Sequence, residues 1–223
     1  MPSDNVQAFR EAYRQSEIST AYSGAAHFAF TFGVGLSVIV GCALQLDQPT
    51  ALEWLAIPMT FVYANLAEYW GHRGPMHHPT RGLRLVFRRH TRQHHRFFTD
   101  EEMAFDSSRD FKAVLFPPVM IAFFLIVFAL PYWALLAWLW SANAAWLGAA
   151  TAVAYFLNYE ILHFAYHCRP DSLLGRLPPI PALRRLHHTH HDPSLMSHRN
   201  FNITYPIGDL LFGTLHRRRS SGS

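Results

Sequence analysis

The stretch AVLFPPVMIAFFLIVFALPYWALLAWLWSANAAWLGAATAVAYFLNYEILHFAYH, residues 113–167, contains no lysine or arginine and a single carboxylate, Glu160. It ends on a histidine pair, His163 and His167. A helix rises about 1.5 Å per residue, so about 20 apolar residues cross a hydrocarbon core of about 30 Å. The stretch therefore has room for two spans, near 113–130 and 146–163, with a break around Pro131 and Ser141–Asn143. Residues 25–70 also lack lysine and arginine, and they offer two more spans, 27–46 and 52–69, with Pro49 in the hairpin between them. The fold class predicted is an all-α integral membrane protein with about four transmembrane helices.

Charge orients the spans. All 19 Lys and Arg fall in residues 1–24, 71–112 and 168–223. With four spans these three segments share one side, which the positive-inside rule makes cytoplasmic. A multi-pass protein results, with a polar N-terminal tail (1–24), a membrane domain (25–216) whose polar segments form a cytoplasmic helical cap, and a basic C-terminal tail (217–223). The tail carries Asp4, Glu11 and Glu17 and does not read as a cleavable signal. A nucleic-acid surface would account for the net charge of +4 but not for the strict alternation of basic and apolar segments, so no nucleic-acid partner is expected. The two cysteines, Cys42 and Cys168, fall near opposite membrane faces, too far apart for a disulfide.

Fifteen histidines equal Asp and Glu combined, and most are clustered. The clusters are His72-Arg-Gly-Pro-Met-His77-His78, His90-Thr-Arg-Gln-His94-His95, His163-Phe-Ala-Tyr-His167 and His187-His188-Thr-His190-His191. All lie at span ends or in polar segments. His163 and His167, four apart, share one helical face and can grip a common ion or two neighbouring ones. His187, His190 and His191 fall within an arc of about 100° by the same geometry. His90, His94 and His95 spread over about 140°, which suits a helix less well. His72 and His77 are separated by Gly74-Pro75, so the second span is expected to end near His72. Ten such nitrogens exceed the limit of about six for one ion and match two ions. His78 and His188 are expected in supporting or solvated roles, and His27 and His216 outside the site.

The ordered set HX4H, HX3HH, HX3H and HX2HH resembles the fatty acid hydroxylase/sterol desaturase superfamily of membrane histidine-rich di-iron oxygenases, over about residues 50–216. His94-His95-Arg-Phe, with Asp106, Arg109 and Phe116-Pro117-Pro118 downstream, and the ending Asn202-Ile-Thr with Asp209-Leu-Leu-Phe-Gly-Thr-Leu215, look most like its fatty acid 2-hydroxylase branch. The resemblance implies metal ligands at His72, His77, His90, His94, His95, His163, His167, His187, His190 and His191. It implies two iron ions, which zinc can replace in a purified sample, and O2 as co-substrate. Glu68 and Glu160 precede His72 and His163 by one helical turn and are placed to accept the other ring N–H of a ligand. His198 is a further supporting candidate.

The implied activity is insertion of a hydroxyl group into a C–H bond of a lipid drawn from the bilayer, a fatty acyl or ceramide-type chain. The short tail carries no haem motif, so electrons are expected from a separate donor such as cytochrome b5, ferredoxin or a flavoprotein reductase. Alternatives within the superfamily are a sterol oxidase, a desaturase or a carotenoid hydroxylase. A non-enzymatic metal-binding or transport protein is the remote alternative, because transport calls for ionisable groups near mid-membrane, whereas Glu68 and Glu160 fall at span ends.

Overall fold

The computed structural model describes residues 4–217. Among them every regular element is helical. In chain order the α-helices are α1 Asp4–Glu17, α2 Gly24–Ala43, α3 Ala56–Gly71, α4 Arg84–Phe87, α5 His95–Phe97, α6 Phe111–Val114, α7 Val119–Phe124, α8 Leu130–Leu139, α9 Ala142–Tyr166, α10 Leu173–Arg176, α11 Ile180–His190 and α12 Ile207–Leu211. Wider π-helical turns occupy His72–Met76, Arg88–His94 and Leu125–Ala129. The chain divides into two compact units.

One unit, residues 25–64 and 116–161, is the apolar one. Ile121, Phe156 and Leu157 form a core with Phe32, Ile39, Phe116 and Phe124 around it. Ala56, Ala144 and Leu147 form a second, smaller core with Leu46 and Trp140. Small residues permit this packing: a Cβ on Gly148 would lie 2.4 Å from Leu136 Cδ1. Asn143 exchanges hydrogen bonds with the backbone of Asp47, at 3.0 and 2.8 Å, and Ser141 Oγ donates to Glu53 at 2.5 Å. These bonds tie the hairpin around Pro49 to the turn at Ser141–Asn143. The outer surface is apolar, with Val40, Val119, Ile126 and Trp138 exposed. Water would penalise such a surface, and hydrocarbon would not.

Two helical stretches, Gly24–Ala43 and Ser108–Leu139, are long and apolar enough to cross a membrane. The second departs from the expected span over 113–130. Residues 115–118 are not helical, and from Val119 the helix continues past Pro131 to Leu139. Proline in an α-helix lacks the N–H and clashes with the carbonyl four residues back. The π-turn Leu125–Ala129 shortly before it widens the coil there, and the break falls only at Trp140–Ser141, the later of the two places expected.

The other unit, residues 1–24, 65–115 and 162–223, carries all four histidine clusters. The segment read as a polar tail is helical from Asp4 to Glu17 and belongs to this unit. Its apolar face explains why: Tyr13 and Ile18 are buried with Phe97, Phe98, Ala113 and Val114. Its polar face supplies Arg14, whose guanidinium donates to both oxygens of the fully buried Asp110 at 2.8 and 2.9 Å.

Candidate metal centre

Residues five apart cannot share a face of an α-helix, being about 140° apart. In a π-helix the bond runs from residue i to i+5, and such residues stack. Both unusual spacings in the sequence fall on π-turns. Pro75 breaks the α3 pattern after Gly71, the chain widens over His72–Met76, and His72 and His77 Nε2 come within 3.1 Å. Over Arg88–His94 the same widening brings His90 and His95 Nε2 within 3.1 Å. The 140° spread expected of His90, His94 and His95 is thereby removed, and His94 is released to face other partners.

All ten histidines expected as ligands are buried, and nine of them gather in two groups. His72, His77, His90, His95 and His190 offer nitrogens within 4.8 Å of one another, and so do His94, His163, His167 and His187. Within the first group Nε2 separations include 2.8 Å for His72–His90 and 3.0 Å for His77–His190. In the second they are 3.2 Å for His163–His94 and 3.1 Å for His167–His187. His191 joins the second group, its Nε2 3.0 Å from that of His187, and its ring stacks on His95 with centroids 4.2 Å apart. The adjacent pairs His94-His95 and His190-His191 thus each divide between the groups. Helical geometry on α11 accounts for the second division: His187 and His191 are one turn apart, while His190 turns toward the first group.

Backbone carbonyls aim the rings. Nδ1 of His94 donates to Ala113 O at 2.9 Å, His167 to Met103 O at 2.8 Å, His190 to Arg199 O at 2.9 Å and His191 to Phe98 O at 2.7 Å. His72 Nδ1 donates to Phe201 O. His77 Nδ1 faces the Thr91 hydroxyl at 3.4 Å, whose own proton goes to Met76 O. A carbonyl only accepts, so each of these five carbonyl-bound rings carries a proton on Nδ1. When neutral, its Nε2 then presents a lone pair to the group.

Charge opposes any other arrangement. Burial is the leading cause that holds His72, His77, His90, His95, His167, His187 and His191 well below the ordinary imidazole value. It lowers His94 and His190 to about 4. Neutral rings with converging lone pairs about 3 Å apart repel unless a cation lies among them. The donor set therefore fits divalent ions that favour imidazole, such as iron or zinc. Among the described residues both groups consist of histidine alone.

The remaining site residues expected from sequence are placed elsewhere. Glu68 accepts the Ile203 amide, the Thr204 amide at 3.0 Å and the Thr204 hydroxyl at 2.7 Å, while the partner of His72 Nδ1 is the Phe201 carbonyl. Glu68 thus steadies the segment that orients His72. Glu160 is buried and accepts the Phe116 amide at 3.3 Å. His198 and His78 are exposed, and His188 bonds the Asp100 carbonyl. His27 bonds the Phe116 carbonyl at 2.9 Å.

Sequence reasoning singled out Asp209 only as part of the ending over 209–215 and gave it no place as an organiser. This fully buried carboxylate accepts the Phe201 amide at 2.9 Å, the Asn202 amide at 2.8 Å and the Thr214 hydroxyl at 2.6 Å. The available signal was a lone acid in the apolar run Ile207–Leu211. The carbonyl acceptors left no signal at all, since every residue has one.

A family model described as fatty acid hydroxylase matches residues 57–214, more than half of the chain. Neither the curated proteins nor the solved structures searched contain a match.

Proposed function

The chain belongs to the fatty acid hydroxylase family, and from that premise we propose that it is a membrane-bound, O2-dependent lipid hydroxylase with two metal ions held by histidine alone. The observation that carries this is the gathering of nine buried imidazoles into groups of five and four, with the Nε2 of buried His191 3.0 Å from that of His187 in the smaller group. Five nitrogens per ion leave room in a coordination shell of about six for a further ligand. His72, His77, His90, His95 and His190 hold one ion, and His94, His163, His167, His187 and His191 the other. Two iron ions in these places would supply reductive O2 activation and oxidation of an unactivated C–H bond.

The chain's own contribution is orientation and exclusion. Carbonyls fix the tautomers, burial keeps the rings neutral and ready to ligate, and the packed rings shut bulk water out. No side chain is assigned as acid, base or nucleophile. The substrate is a bilayer lipid with a fatty acyl or ceramide-type chain. The His94-His95-Arg-Phe stretch and the Asn202–Leu215 ending support the 2-hydroxylase branch. Electrons arrive from a separate cytochrome b5, ferredoxin or reductase, drawn to the basic face.

We place four spans in the membrane. α3 has only 16 residues, but helical structure is unbroken from Glu53 to Met76, and α9 has 25 residues. The arginine distribution supports a cytoplasmic position for the metal centre and a membrane domain extending over 25–216 between the two terminal segments.

Mass spectrometry of lipids from cells with and without the chain tests the reaction. A lipid heavier by one oxygen is the expected product. Loss of two hydrogens would replace hydroxylation by desaturation, and an unchanged lipid profile with the electron donor co-expressed would overturn both.

A further inference from the structure

Two of the carbonyls that orient the second group come from one short loop, while that of His94 comes from Ala113. Phe98 O accepts His191 Nδ1, Met103 O accepts His167 Nδ1, and the Phe105 amide donates to the His167 carbonyl at 3.1 Å. His188 reaches the Asp100 carbonyl of the same loop. Internally, the backbone of Thr99 and Glu102 exchanges two hydrogen bonds, at 3.0 and 3.3 Å. The aim of two imidazoles therefore depends on how this loop is held.

It is held from α1. The side chain of Arg10 is fully buried, a costly place for a cation unless its donors find acceptors. Nε donates to Phe97 O at 2.8 Å, and Nη2 donates to Glu102 O at 2.9 Å. The guanidinium thus spans the loop, gripping the carbonyl one residue before the acceptor of His191 and the carbonyl one residue before the acceptor of His167. Nη1 lies 3.6 Å from Glu102 Oε1 and 3.5 Å from Asp106 Oδ2, so two carboxylates offset the buried charge. The ring of Phe97 packs beneath the guanidinium carbon, 4.9 Å from its centroid. The planar fork meets the two carbonyls with two donors in fixed geometry, which the single rotatable ammonium of a lysine does not reproduce.

Arg10 lies outside the residues matched by the family, 57–214. We propose that Arg10 is a positioning residue for the second metal ion, its grip on the two loop carbonyls being what α1 contributes to the metal centre. The proposal rests on the two-ion reading above. It gives Arg10, in a segment read from sequence as a polar tail, a part in holding the metal.

The test is titration of the full metal-free chain, in detergent, with cobalt(II), followed by absorption and by metal analysis after gel filtration. The unaltered chain is expected to take up two equivalents. Arg10→Ala should bind the first as before and the second more weakly, by the roughly 10- to 100-fold that loss of a ligand's supporting partner costs. Arg10→Lys should fall between the two. Arg14→Ala, which removes the pairing to Asp106 and Asp110 but leaves both loop carbonyls gripped, should retain two equivalents. The proposal is overturned if Arg10→Ala binds the second ion with unaltered affinity, or if Arg10→Lys does so where the alanine variant fails to fold. An equal loss in Arg14→Ala would also overturn it, since docking of the helix rather than the grip of Arg10 would then be responsible. Fewer than two equivalents in the unaltered chain would refute the two-ion reading itself, an outcome separate from these.

Discussion

Alanine in place of His190 is expected to lower bound metal from two ions toward one and to abolish O2-dependent product. The ring supplies an Nε2 3.0 Å from that of His77, and its other nitrogen is committed to the Arg199 carbonyl. Its loss leaves four rings in the first group and a void that no carboxylate among the described residues is placed to fill. Loss of a direct ligand should exceed the roughly 10- to 100-fold cost in affinity attached to loss of a ligand's hydrogen-bond partner. His163→Ala should do the same to the second group, whose His94 Nε2 lies 3.2 Å from that of His163. His78→Ala is the control, because His78 adjoins a group in sequence yet is exposed. It should keep both ions and full product formation. Metal analysis and product assay on the three variants check the outcome, and hydroxylation retained by either ligand variant would contradict the site.

The second large effect is expected at Asp209, far from any ion in chemical role. Its carboxylate is the acceptor for three donors, the amides of Phe201 and Asn202 and the hydroxyl of Thr214. Burial pushes this carboxyl up from its ordinary value, and the three donors oppose that push. Asp209→Ala would strand all three donors without water. At about 1–3 kcal/mol for each unsatisfied buried group, the loss is about 3–9 kcal/mol, a large share of the stability of an ordinary domain. Asp209→Asn keeps one carbonyl oxygen and turns a donor toward a donor, so it should fall between. Thermal unfolding measures the loss. Because Phe201 O aims His72, metal affinity of the first group should fall along with it.

Composition and spacing made the apolar segments and the ten histidines legible. An apolar run without arginine admits few alternatives, and a helix repeat announces pairs such as His163 and His167. What stayed hidden was the local width of the helix. His72–His77 and His90–His95 look mismatched on an α-helix, and only the π-turns bring each pair together. Pro75 hinted at the first, but nothing in Arg88–His94 announces the second. Pro131 misled in the opposite direction: a wide turn before it lets the helix continue where a break was expected. The division of His94-His95 between two groups was equally hidden, since side-chain direction depends on that same width. Glu68 was placed by helical spacing beside His72, yet the ring found a nearer acceptor in the backbone. The role of α1 was obscured because its residues look polar in sequence, while its buried contacts, Tyr13 with Phe97 and Arg10 with the carbonyl of Phe97, join positions far apart in the chain.

Iron analysis of the purified chain, loaded anaerobically with iron(II) and freed of excess metal, tests the central claim most directly, with X-ray absorption reporting the ligands. The predicted result is about two iron ions per chain, each surrounded by imidazole nitrogen with no sulfur ligand. One ion or none per chain, or two ions whose shells are dominated by carboxylate oxygen, would contradict it.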